Sequence, residues 1–135
     1  MGNAYIFVAA AAIAVISISF IFKLSIDTIK EYPEEKDSVQ TKFFIWLGVS
    51  EVIPIILIVF GFTNLDTVAT IEDLYIPGLF IIVLMGFAAL FIILQRSVGV
   101  PKDIKLFVNT FSYIALGMAN AIPIIALVSL LLMIP

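Results

Sequence analysis

The sequence predicts an all-α membrane protein of four transmembrane helices, arranged as two tandem helical hairpins of parallel topology. Three observations predict it. Of the 135 residues, 63% are hydrophobic and 13% charged, a balance that a water-soluble domain of this size has too little polar surface to cover. The apolar residues fall into four runs, at 4–24, 43–62, 77–94 and 106–134. The second and fourth runs, finally, repeat one another.

As far as Phe22 the first run is interrupted only by Ser17 and Ser19, whose hydroxyls can bond back to the preceding helical turn. Ala10, Ala14 and Ser17 recur in it at helical spacing, a face along which two helices can approach closely. No Lys or Arg precedes this run, so it lacks the charged leader of a signal peptide and is expected to be retained. Residues 25–42 are polar, contain Pro33, and are expected to close the first hairpin, 1–62. Residues 63–76 form an acidic connection, and Pro77 opens the second hairpin, 77–135, whose own turn is expected at 95–105.

Glu51 stands alone within FFIWLGVSEVIPIILIVFGF, residues 43–62, the only charge in the run. Twenty helical residues rise roughly 30 Å, the hydrocarbon thickness of a bilayer, and the ninth of them lies near the midplane. An acid at that depth costs about 2.5–3.5 kcal/mol on insertion scales, so it is expected to be neutralised or to face a partner, and it is the first candidate for a functional group. Pro54, three residues on, frees the carbonyl of Ser50 and is expected to kink the helix beside the carboxyl.

Aligning 40–59 with 109–128, at an offset of 69, gives nine identities in twenty, including Gly48 with Gly117 and Pro54 with Pro123. EVIPII thus corresponds to NAIPII, and Asn120 takes the place of Glu51. One half can ionise and the other cannot. Asn120 shares a helical face with Asn109, Tyr113 and Gly117, a polar stripe that suits either a hydrogen bond to another helix or a contact that holds the proton of Glu51.

The sequence has no cysteine and no histidine, which removes disulfides, thiolate nucleophiles and the usual zinc or haem ligands. Neither a metal nor an organic cofactor is expected. A net charge of −3 without a basic stripe argues against nucleic acid as a partner.

The segment 32–62 resembles subunit c of F-type ATP synthases, and its duplication resembles the four-helix proteolipids of V-type enzymes. The resemblance rests on Pro33, Glu34, Gln40, Thr41, Phe44, Ile45, Glu51 and Pro54, which match a polar turn followed eighteen residues later by a buried acid. It implies a homo-oligomer in the lipid bilayer, working against a stator membrane subunit as part of an ion-translocating ATP synthase or ATPase, with no catalysis by this chain alone. It also implies Glu51 as the ion-binding residue, supported by Ser50, Pro54, Asn120 and Tyr113. Members that bind Na⁺ supply a Gln from the first helix and a hydroxyl just after the acid. Ile18 and Val52 stand there here, so the implied ion is a proton rather than Na⁺.

The family's first helix carries small residues where this chain has Ile13 and Val15, and two hairpins here share one carboxylate. Those differences sustain an alternative, a c-like assembly or scaffold protein outside the rotary engine with a vestigial acid. A small multidrug-type transporter fits the length but not the parallel repeat.

All seven basic residues fall in or beside 25–42 and 95–105. The positive-inside rule then puts both turns in the cytoplasm, and both termini outside the cell membrane with the 63–76 connection. In this cysteine-free chain, Thr67→Cys is expected to react with an impermeant maleimide in intact cells, and Asp37→Cys and Asp103→Cys to be protected. The reverse pattern would invert the orientation.

Overall fold

The computed structural model describes residues 2–135, and the elements within them are helical. Helix α1 spans Gly2–Glu31, α2 Lys36–Ser50, α3 Val52–Thr63, α4 Tyr75–Ser97 and α5 Lys105–Leu131, with single 3₁₀ turns at Pro33–Glu35, Ile71–Leu74 and Lys102–Ile104. Helices α2 and α3 form one span, so four helical spans are long and apolar enough to cross a membrane. This is a multi-pass membrane protein.

Most helix ends lie beyond the apolar runs, while α5 stops at Leu131 rather than near 134, and the expected boundaries need correction. Helix α1 continues to Glu31 rather than ending near 24, because its inward stripe continues through the fully buried Ile26 and Ile29. On its outer side Lys23 pairs with Asp27 at 2.9 Å, one helical turn apart, and Thr28 Oγ1 donates to the Leu24 carbonyl. The second span begins at Lys36, not 43. The polar segment 25–42 is therefore mostly helix, and its turn is confined to Tyr32–Glu35, where Pro33 pushes Tyr32 out of the helical region (φ −127°, ψ 75°). The 95–105 turn is similarly shortened, with Gly99 supplying the one positive φ, 67°, among the described residues. Thr70 and Asp73 form a capping box that leads into α4.

Helices α1 and α5 are the inner pair. On α1 the buried positions run Ala4, Phe7, Ala10, Ala14, Ile18 and Phe22, and on α5 Phe111, Ala115, Ala119, Ile122, Ala126 and Leu130, both at three- and four-residue spacing. Small residues at the middle of both stripes permit close approach. The second span and α4 flank this pair, each burying one narrow line, Pro77, Ile81, Ala88 and Ile92 on α4. Their other faces, with Trp46, Ile53, Phe80 and Val83 among many, are left to lipid.

Aromatic rings report the directions. Phe7 meets Phe62 edge to face at 5.8 Å, and Phe22 meets Phe43 at 6.4 Å, so α1 runs antiparallel to the second span. Phe111 of α5 completes a three-ring cluster, 5.5 Å from Phe22 and 4.8 Å from Phe43. Both chain ends and the 64–70 connection gather at one end of the bundle. There Asn3 donates to the carbonyl of Asn64, and Val68 N donates to the Met133 carbonyl at 3.0 Å. At the other end Lys30 Nζ donates to the Gln95 carbonyl at 2.6 Å, and Lys36 lies 5.7 Å over the ring of Phe107.

Of the close-approach face expected on α1, Ala10 and Ala14 are 0% and 5% exposed within a single chain, and Ser17 is half-buried. The two alanines pack in the core and present no face to a second copy.

The tightest approach is at Gly61, where a Cβ would stand 2.7 Å from the ring of the fully buried Phe7. Gly61→Ala is expected to cost about 1–3 kcal/mol of stability through overpacking. Gly48, where an added methyl would meet nothing within 4 Å, serves as control: Gly48→Ala is expected to be neutral or stabilising. Thermal unfolding in detergent, followed by circular dichroism, distinguishes the two, and equal midpoints would contradict the packing of Phe7 on Gly61.

Candidate functional site

Glu51 sits at the junction of α2 and α3, the point where the second span is interrupted. Pro54 contributes to the interruption: it has no N–H to give the Ser50 carbonyl, and its ring crowds that carbonyl, which weakens the helical ladder one turn before the proline. Hydrogen bonds on either side persist: Glu51 N donates to the Leu47 carbonyl and Ile55 N to the Glu51 carbonyl, both at 3.0 Å. The break is a local loosening and not a loop.

The buried line of the second span runs Phe43, Leu47, Pro54 and Ile58. Glu51 falls between Leu47 and Pro54 on that same line, so its side chain leaves the helix on the face turned toward α1. It is half-buried. Interpolating between the Phe22–Phe43 and Phe7–Phe62 contacts at equal helical rise puts it level with Ala14 to Ile18 of α1. Flanking Val52 and Ile53 are exposed to lipid.

Among the described residues no base reaches the carboxyl. The one ion pair among them is Lys23–Asp27, and no group of three or more His, Cys, Asp or Glu side chains gathers into a metal site there. Nor does any described residue give the carboxyl of Glu51 a hydrogen-bond partner. What the arrangement offers is an isolated acid at mid-span on a helix-facing line, able to hold one proton and to exchange it where the helix is loosened.

The supporting residues named from the sequence fall in three places. Ser50 Oγ donates to the Leu47 carbonyl at 2.9 Å and is thus committed to its own helix. Asn120 Nδ2 donates to the Leu116 carbonyl at 3.0 Å, again within its own helix, while its Oδ1 is buried without a partner among the described residues. Tyr113 is 62% exposed, with the Arg96 guanidinium 5.1 Å above its ring, and belongs to the end of the bundle rather than to Glu51. Of the named set, Pro54 and Ser50 adjoin Glu51, whereas neither Asn120 nor Tyr113 is joined to it by a hydrogen bond.

The repeat reveals a relation that the sequence did not disclose. Leu47 and Leu116 are equivalent, and in each half the carbonyl of that leucine accepts an extra side-chain donor, from Ser50 in one and from Asn120 in the other. In the first half the donor is not the residue equivalent to Asn120 but the neighbouring serine. Pro123, equivalent to Pro54, lies within an unbroken α5, so the proline alone does not interrupt a helix in this bundle.

No family model matches the chain, and no curated protein or solved structure is significantly similar to it.

Because Asn120 Oδ1 is buried and unpaired, Asn120→Leu is expected to raise stability in detergent, by about 1 kcal/mol, a buried polar group being exchanged for an apolar one of similar volume. A lowered thermal midpoint would mean that the amide bonds a second helix.

Proposed function

We propose that this protein carries a proton on Glu51 near mid-membrane, as a proteolipid-like subunit of an oligomeric rotor-type ion-translocating complex. The observation that supports this reading is the acid itself: half-buried, on the line of α2–α3 that faces α1, at a helix break, with no basic partner among the described residues. A carboxyl so placed is stable in hydrocarbon only when its charge is cancelled, and a proton is the smallest ion able to cancel it. By the family resemblance, uptake and release take place at a stator membrane subunit that brings water and a basic group to Glu51. The positive-inside rule assigns the end rich in lysine and arginine to the cytoplasm and both termini to the outside.

A second reading is favoured by one specific observation. Ala10, Ala11 and Ala14 of α1 are buried in the core of a single chain, and α1 and α5 are the innermost helices, an arrangement closer to a closed bundle than to an open segment of a ring. That geometry suits a c-like assembly or scaffold protein outside a rotary engine.

Two measurements on the protein in lipid nanodiscs test these readings. Infrared difference spectroscopy against Glu51→Gln is expected to show a protonated carboxyl stretch at pH 7 that the variant lacks, and a carboxylate band instead would overturn the proton-carrying role. Native mass spectrometry then separates the two assemblies. A closed species of many copies supports the rotor reading, and a monomer or dimer replaces it with the scaffold reading.

A further inference from the structure

The end of the bundle where α4 turns into α5 carries a feature that Glu51 does not explain. A cleft of about 890 Å³ opens there, and its charged lining is entirely basic: Arg96 from α4, Lys102 from the 3₁₀ turn and Lys105 from the start of α5. Gly99, with its positive φ, turns the chain around the cleft, and Asn109 and Tyr113 line its α5 side. Asp103, the one acid in this turn, does not line it, and none of the three bases is ion-paired among the described residues. Three cations thus converge at the level where an apolar bundle meets the membrane surface.

A second, smaller cavity of about 200 Å³ adjoins the first, sharing Arg96 and Tyr113 with it and continuing between α4 and α5 along Ile92, Ile93 and Leu116. Ser112 lines this groove. It is 2% exposed, and its Oγ has no hydrogen-bond partner among the described residues. The equivalent of Ser112 in the first half is Phe43, whose buried ring joins the aromatic cluster and lines a separate cavity of about 580 Å³ between α1 and α2. Serine at 112 instead places a hydroxyl donor within the apolar wall between α4 and α5.

We propose that this paired cleft and groove is a binding site for an anionic phospholipid. The phosphate lies among Arg96, Lys102 and Lys105, an acyl chain enters the groove along Ile92, Ile93 and Leu116, and the Ser112 hydroxyl donates to an ester carbonyl between them. A basic pocket between membrane helices at the surface is suited to a lipid phosphate, and an apolar groove opening directly from it distinguishes a lipid from a free anion. Arg96, held over the Tyr113 ring at the junction of the two cavities, is placed to meet the phosphate where headgroup and chain separate.

The test is native mass spectrometry of the delipidated protein, titrated with phosphatidylglycerol or with phosphatidylcholine of matched chains, and in a parallel arm with inorganic phosphate. Phosphatidylglycerol is expected to be retained at least tenfold more strongly. Lys102→Gln and Lys105→Gln are each expected to weaken it by roughly fivefold, as for a base near a charged lipid surface. Lys23→Gln with Lys42→Gln, on the other hairpin, is expected to leave it unchanged. Ser112→Phe is expected to reduce retention while the three bases remain. Equal retention of the two lipids, or equal losses from the control lysines, would overturn the site. Displacement of the lipid by millimolar inorganic phosphate would reassign it to a free anion. If Ser112→Phe does not fold, the lysine variants and the phosphate arm still decide the question.

Discussion

The antiparallel contact of α1 with α5 is the interaction on which the rest of the bundle depends. Lipid supplies no hydrophobic drive between helices, so association rests on close packing, and close packing needs residues small enough to let backbones approach. Ala10, Ala14, Ala115, Ala119 and Ala126 meet that need through the middle of the pair. Toward the lysine-rich end the spacing is instead filled by Phe22, Phe43 and Phe111, whose rings tie α1, α2 and α5 together. The second span and α4 each attach to this inner pair along one narrow line. Their remaining surface is apolar, as contact with hydrocarbon requires.

Glu51 gains its properties from that arrangement. It lies on the inward line of a flanking span, where one side is protein and the other is lipid, and where Pro54 has already weakened the backbone ladder. An acid wholly inside the α1–α5 contact would need a permanent partner, and one facing lipid alone would have no route for exchange. The half-buried position is intermediate between these. Asn120, at the equivalent point of the repeat, is likewise half-buried, and its amide is spent on the Leu116 carbonyl. The two halves have thus diverged here in charge.

The halves differ at the base-rich end as well. Phe43 and Ser112 occupy equivalent positions and each lines a cavity of its own half, but the ring at 43 joins the aromatic cluster, whereas the hydroxyl at 112 is buried without a partner among the described residues. Duplicated sequences need not build duplicated sites. Here one half holds the acid and the other the open, cation-lined end.

By itself the sequence determined the number of spans, the position of the lone mid-span acid, the segregation of bases, and the Gly and Pro repeat. Each of these depends on composition or on spacing along one chain, and the bilayer thickness converts such counts into structure. Only tertiary structure decided where the helices end, since Ile26 and Ile29 extend α1 through a polar segment by burying a stripe that hydropathy averages away. It also decided that the small face of α1 packs internally, that Tyr113 serves Arg96, and that Pro54 interrupts its helix while Pro123 does not. These are questions of which neighbour lies across a contact. A periodic apolar helix presents several faces of comparable character, and only packing selects among them.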